Sequence, residues 1–209
     1  LREDILKGNY KENDELREIT IGKELGVSRT PVREALRQLE LEGLVKIIPN
    51  KGTYVTGISA QDVEDIYKIR ILLEGLCARW ATERITEDSL GRLEEIILLS
   101  EFHSHKDSSS HVVQLDGKFH EVLYEACNSR ILEHVLKDFH KYVQMARAYS
   151  VSSEERAAKS VAEHKAILDA IKAKDADLAE SLAGEHMKHA MENLKRKKYS
   201  EVIGGQENE

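Results

Sequence analysis

At 209 residues the chain is long enough for one large domain or two modest ones. It is 41% apolar and 33% charged, with only two prolines, which favours a helix-rich globular protein. No apolar run approaches the ~18 residues of a membrane span, no signal-peptide pattern is present, and Cys77 and Cys127 lack C-x-x-C spacing, so a disulfide scaffold or cysteine metal ribbon is excluded.

Two buried, reduced thiols and a cytoplasmic location are therefore expected. Net charge is −7, which on its face argues against nucleic acid. The charge is unevenly spread. Residues 1–57 carry 10 basic and 10 acidic side chains, so the whole −7 falls on residues 58–209. Within 21–57 there are 6 basic and 4 acidic residues, a locally basic segment able to meet DNA.

In chain order, the pattern predicts a helix to about Gly8, with Ile5 and Leu6 inward; Leu1 already falls inside it, as in a trimmed start. A second helix spans 17–25, with apolar Ile19, Ile21 and Leu25, and Gly26 suits its left-handed end. Ser28 is placed to cap a third helix that runs to about Glu42 and stops at Gly43. Val27 and Val32 occupy staple positions, and Pro31 falls in the first turn, where its missing N–H costs nothing. Val32, Ala35, Leu36 and Leu39 recur at helical spacing, so Arg29, Arg33 and Arg37 face outward. Leu44–Ile48 and Thr53–Thr56 are β-branched stretches around a four-residue turn, Pro49–Gly52, which predicts a hairpin. Together these elements predict a winged helix-turn-helix over 1–57.

Gly57-Ile58-Ser59 reads as a short linker. Beyond it the pattern is helical. Ser59 is placed to cap a helix to Arg84 whose inward side is read as Val63, Ile66, Ile69, Leu73, Leu76 and Trp80. Thr86 caps a helix to about His103, residues 106–110 form a polar loop, and helices follow near 111–126, 129–149, 153–173 and 175–198. Six helices without strands predict an antiparallel bundle over 58–199, with a frayed tail over 200–209. The expected fold class is mainly α: an N-terminal winged helix-turn-helix followed by an all-α bundle.

Nine histidines are present. Asp116 and His120 are i,i+4 on a face that also carries Val112, Phe119 and Leu123, so both point inward. His164 and His186 are equidistant from the turn at Lys174-Asp175. In an antiparallel helix pair such residues lie side by side, each ~16 Å from the turn. Three imidazoles and a carboxylate on inward faces suit a borderline divalent ion, Zn²⁺ or Ni²⁺ foremost, and the ion would compensate the buried charge of Asp116. An inward histidine is more often a satisfied core residue, and that is the default for His103, His105, His111 and His134. His140 mirrors Asp116 about the break at 128, a placement that could also bring it to the cavity, and His189 follows His186 by three, as a spare ligand or a group supporting the ligands would. Packing or surface roles are the default for both.

The stretch Gly26-Val27-Ser28-Arg29-Thr30-Pro31-Val32-Arg33-Glu34-Ala35-Leu36, then Leu39, Glu42-Gly43-Leu44-Val45 and Pro49…Gly52…Val55, resembles the DNA-binding pattern of the GntR family of bacterial transcription regulators. The helical half resembles the FadR-type ligand domain, called FCD, through Arg70…Glu74, Asp116-x-x-x-His120, Asn128, Glu163-His164 and His186. The resemblance implies a metal at Asp116, His120, His164 and His186, a small carboxylate effector, and a homodimer. Two departures stand out: Glu18 is followed by Ile19 where the family often has Arg, and Asn13-Asp14 replaces Pro-Gly.

On this reading Arg29 is the candidate for bidentate guanine contact or a phosphate clamp, with Arg33 one turn on. Ser28 and Thr30 are placed to donate to phosphate. Arg37 suits a backbone contact or an ion pair with Glu34 or Glu40, and Lys51 and Gly52 suit the wing tip. One such module makes few base contacts, so a two-fold dimer on pseudo-palindromic double-stranded DNA is expected. Arg70, Arg147 and His189 are candidates to meet an effector, the arginines equally able to be ordinary salt-bridge residues. Two rivals stand beside the carboxylate sensor. One is a sensor in which the ion itself is the signal. The other is a metalloenzyme, disfavoured because only Glu163 or His189 offers an extra general base.

Overall fold

The structure, a computed structural model, describes residues 1–104, 109–143 and 154–196, with backbone alone for 109, 110 and 154. The chain divides into two compact units, one spanning Leu1–Ser59 and the second beginning at Ala60. Each is built around its own core.

In the first unit, α1 (Arg2–Leu6), α2 (Glu18–Leu25) and α3 (Arg29–Leu41) precede an antiparallel pair, β1 (Val45–Ile48) and β2 (Gly52–Val55). Ile5, Leu16, Ile21, Val32, Leu36, Leu39, Leu44, Val45 and Val55 form the buried centre. The α2–α3 turn depends on two glycines. Gly26 takes a left-handed φ of 66°, and a Cβ on Gly22 would stand 2.9 Å from the Val27 carbonyl oxygen.

Several local expectations need correction. Ser28 sits at the α3 N-cap in extended backbone, but its hydroxyl makes no capping bond. Val27 stays 43% exposed, so a staple to Val32 buries little. Of the three apolar residues assigned to the second helix, only Ile21 is buried; Ile19 is 55% exposed and Leu25 62%. Ile19 lies about 200° around the helix from Ile21, and Leu25 is the last helical residue. Ala35 is also exposed, which narrows the inward stripe of α3 to Val32, Leu36 and Leu39. The hairpin pairs Ile48 with Gly52, so its turn holds three residues, Pro49–Lys51, rather than four. A further extended segment backs the wing: the Asn13 and Leu16 amides donate to the Val55 and Thr53 carbonyls at 2.8 Å each.

The second unit contains α4 (Ala60–Arg84), α5 (Glu87–Ser104), α6 (Ser109–Ala126), α7 (Arg130–Tyr142), α8 (Glu154–Lys172) and α9 (Ala176–Arg196). Polar residues start and stop these helices. Thr86 Oγ1 accepts from the Ser89 amide at 3.2 Å, and Ser129 Oγ accepts from the Leu132 amide at 3.4 Å. Asp175 Oδ1 accepts from the Leu178 amide at 3.0 Å. Asn128 and Lys174 take the left-handed φ values of 49° and 57° that end α6 and α8. The 106–110 loop shrinks at its end, since Ser109 already opens α6; 105–108 lie outside the described residues.

α4 and α9 make the most extensive helix pair. Small residues let them close: a Cβ on Gly75 would meet the Glu180 carbonyl oxygen at 3.0 Å, and one on Gly184 the Ile71 carbonyl oxygen at 3.4 Å. Arg79 of α4 bonds both Asp177 and Glu180 of α9. α5 packs on α6 and α8, and α7 on α4 and α6. Phe119, Leu123, Leu93, Ile167, Ile171 and Ala81 lie in the shared core. Cys77 and Cys127 are both buried free thiols. The inward stripe of α4 differs from the apolar reading. Val63, Tyr67, Arg70, Glu74, Cys77, Ala78 and Ala81 are buried, whereas Ile69 is 43% exposed. The true stripe is turned by about one residue because an ion pair, Arg70–Glu74, occupies its centre.

Candidate nucleic-acid interface and candidate metal centre

Short, polar α3 presents its arginines because its inward positions are taken by Val32, Leu36 and Leu39. The Arg29, Arg33 and Arg37 side chains are 61%, 47% and 62% exposed. Ser28, Thr30 and Lys51 are exposed and Gly52 half-buried, the last two at the hairpin turn. Arg29 and Arg33 share one acceptor. Glu18 Oε2 takes Arg29 Nη2 at 2.9 Å and Arg33 Nη2 at 2.8 Å, while Oε1 takes Arg33 Nε at 2.8 Å. The hydrogen bond from Arg33 is the largest influence on the Glu18 carboxyl; burial opposes it, and with the hydrogen bond from Arg29 and both arginine charges the value is held down at about 2. Arg37 pairs with Glu34 at 3.0 Å. The fork on Glu18 was not read from the sequence; a carboxylate at the start of α2, 11 and 15 residues before two arginines, carries no periodic signal.

In the second unit, α6 supplies Asp116 and His120, α8 supplies His164 and α9 supplies His186. All four are buried, and one donor atom from each lies within 4.8 Å of every other. His164 Nε2 and His186 Nε2 stand 3.1 Å apart across the α8–α9 pair, and His164 Nε2 is 3.6 Å from Asp116 Oδ1. Ser160 donates to Asp116 Oδ1 at 3.1 Å, and the Phe119 ring stacks on His164 at 4.1 Å. Donors around a four-coordinate zinc ion stand about 3.3–3.6 Å apart. The cluster is near that spacing, and its three imidazoles and one carboxylate are the right chemistry for a borderline divalent ion.

Two carboxylates, Glu74 buried and Glu163 half-buried, stand behind the histidines. Glu74 Oε2 meets His120 Nδ1 at 3.2 Å, and its Oε1 accepts from Arg70 Nη2 at 2.5 Å and Tyr124 Oη at 2.5 Å. Burial pushes Glu74 upward, but His120, Arg70 and Tyr124 outweigh it and hold the carboxyl well below its ordinary value. Glu163 Oε2 meets His186 Nδ1 at 2.6 Å, Oε1 meets His189 Nδ1 at 2.8 Å, and Arg156 donates to both oxygens at 2.8 and 2.9 Å. Burial again opposes, yet His186 and Arg156 bring Glu163 to about 2. A carboxylate on Nδ1 fixes the tautomer and turns Nε2 toward the cluster. Glu74 and Arg156 are roles the sequence reading missed. The Arg70/Glu74 and Arg156/Glu163 spacings, i,i+4 and i,i+7, were the available signal.

The residues considered for an effector are placed differently from one another. Arg70 is fully buried and engaged with Glu74 and Tyr124. His189 is half exposed and held by Glu163. Arg147 lies outside the described residues. A cavity of about 520 Å³ opens instead between α6 and α7, lined among others by Asp116, Gly117, Lys118, Lys137, His140 and Lys141. For His140 the default of a packing or surface role gives way to the alternative: it lines this space, with its ring 6.1 Å from that of His120.

Residues 1–55 match the family described as bacterial regulatory proteins, gntR family, and residues 65–189 match the FCD domain. The chain is 32% identical over 196 residues to YdhC, an HTH-type transcriptional regulator of Bacillus subtilis strain 168, covering 93% of this chain and 88% of that protein. It is 26% identical to the transcriptional repressor RspR of Escherichia coli K12, covering 94% and 86%. The solved structure of E. coli McbR/YncC shares the fold with a TM-score of 0.73 at 22% identity, covering 94% of this chain and 93% of that one. Among the described residues no helix is long and apolar enough to cross a membrane.

Proposed function

The chain belongs to the GntR family of bacterial DNA-binding transcription regulators and carries an FCD domain; it is not an enzyme, and from that premise we propose that it is a metal-dependent sensor of a small carboxylate. The observation that carries the reading is the buried meeting of Asp116, His120, His164 and His186. A bound divalent ion, Zn²⁺ or Ni²⁺ by donor chemistry, would supply a cationic point able to take an oxyanion directly. Glu74 and Glu163 orient two of the imidazoles, and Arg70 and Arg156 balance those carboxylates, so the cluster is held without an uncompensated buried charge.

On the DNA side, Arg29 and Arg33 are the base- and phosphate-reading pair, Ser28 and Thr30 lie at the helix start, and Arg37, Lys51 and Gly52 make peripheral contacts. Glu18 holds both arginines together before DNA arrives, and an exposed pair of this kind exchanges partners at small cost. A homodimer on a pseudo-palindromic operator gives the reading its reach, and effector binding shifts the population of DNA-competent dimers through Gly57-Ile58-Ser59. That shift requires different effector affinity in the two states. The effector-facing residues are expected around the cluster rather than at Arg70, whose charge is already consumed by Glu74.

The test is elemental analysis and native mass spectrometry of freshly purified protein, followed by gel shifts with metal-depleted and reloaded protein, with and without organic acids. One divalent ion per chain and an acid-dependent change in DNA affinity are expected. A change driven by the ion alone would mean that the metal is the signal. If wild-type protein retains no ion, and alanine at the four ligands leaves DNA binding and its acid response unchanged, the reading falls.

A further inference from the structure

The cavity between α6 and α7 has an electrical character unlike the acidic chain around it. Lys137, His140 and Lys141 recur at i, i+3 and i+4, so they share one face of α7. Across from them, Gly117, Lys118 and Glu121 share a face of α6. The lining thus holds three lysines against two carboxylates, Asp116 and Glu121, and Asp116 belongs to the metal cluster. The cavity therefore reaches the cluster through Asp116, and α7 contributes a pair of ammonium groups to the same lining.

Those ammonium groups already have partners. Lys137 donates to Glu133 at 2.7 Å, and Lys141 to Asp138 at 3.1 Å. Lys137 also stands 3.6 Å from Glu125; its pair with Glu133 is part-buried and that of Lys141 exposed, and pairs so open to water contribute little to stability and can be exchanged for another anion.

Gly117 points to the same use of the space. It lies inside α6, where glycine weakens a helix. Packing does not demand it: a Cβ there would meet only His140 Nε2, at an ordinary 3.9 Å. The missing side chain leaves open the floor between Asp116 and His140.

We propose that this cavity admits a small molecule with two acidic groups, one directed to the Asp116–His120–His164–His186 cluster and the other to Lys137 and Lys141, and that Gly117 sets how wide a molecule enters. The proposal rests on the metal-and-carboxylate reading above and narrows its ligand to a dianion. The second acid is a carboxylate or a phosphate, since both present the oxygens that ammonium groups bind.

The test uses zinc-loaded full chain and isothermal titration with succinate, 3-phosphopropionate and butyrate. Succinate or 3-phosphopropionate should bind at least about tenfold tighter than butyrate, the charge-assisted contact at Lys137 and Lys141 being the difference. The better of the two identifies the second acid. In the Lys137→Gln/Lys141→Gln variant the affinity for the dianion should fall to the level of butyrate. Gly117→Val should weaken every acid while keeping one zinc per chain, and Gly117→Ala should raise the melting temperature. Equal affinity of wild-type protein for succinate, 3-phosphopropionate and butyrate, or a dianion preference that survives in the double variant, overturns this inference alone. Binding of none of the three acids by zinc-loaded protein overturns the carboxylate reading and this inference with it.

Discussion

Each half of the chain places one glutamate between cationic groups, and the two arrangements differ in burial. Glu18 is 24% exposed and shared by two arginines that are themselves 61% and 47% exposed. Glu74 is 1% exposed and holds Arg70, which is fully sealed, together with Tyr124 and His120. Water competes for the first set and not for the second. An exposed fork can hand its arginines to DNA, whereas a buried relay can only keep its geometry, because parting the ions would leave charge in a low-dielectric interior.

The largest effect should come from breaking the buried relay. Glu74→Gln leaves Arg70 without its counter-ion and is expected to cost about 3–5 kcal/mol in chemical denaturation. It should also weaken zinc binding by about 10- to 100-fold in a competition titration. A variant as stable as wild type would mean that the relay is not a structural unit. Next is Arg29→Ala, expected to lower operator affinity by about 100-fold in a gel shift with an unchanged melting curve; near-wild-type affinity would remove Arg29 from the reading set. Gly75→Ala, whose Cβ would press on the Glu180 carbonyl at 3.0 Å, should cost about 1–3 kcal/mol by thermal denaturation.

The smallest effect should come from the exposed fork. Glu18→Gln is expected to change stability by no more than about 1 kcal/mol and to tighten non-specific DNA binding by removing a negative charge beside the arginines. The pH dependence has a definite sign. Glu18 has a folded value of about 2 against an ordinary 4.5, so its contribution is fully present above 4.5 and is lost as pH falls toward 2. Carboxyl NMR titration reads this directly. A midpoint near 4.5 would show that Arg29 and Arg33 do not hold Glu18 in solution.

Much of this was legible from spacing. The hairpin and the α2–α3 turn are written in Gly26, Gly43 and the β-branched runs, whose local chemistry points to the geometry they adopt. The His164–His186 meeting follows from equal distance to one turn. What hydrophobic periodicity could not reach was α4. A reading that looks for apolar residues chooses Ile66 and Ile69, while the helix buries Arg70 and Glu74, because two opposite charges that face each other can occupy a core position. The strip at Asn13–Leu16 that pairs with β2 was equally hidden, since four residues, three of them hydrogen-bonded to β2, are too few to show alternation.

The turn at Lys174-Asp175 makes the metal cluster sensitive to chain length in a way that substitution tables overlook. His164 and His186 face each other only because eleven residues lie on each side of their midpoint at 175. Exchanging most side chains along those arms leaves the register intact. Inserting or deleting one residue between them within either helix would swing one imidazole by about 100° and move it by about 1.5 Å along the axis. Among related chains, length between these two histidines should therefore be guarded more strictly than composition.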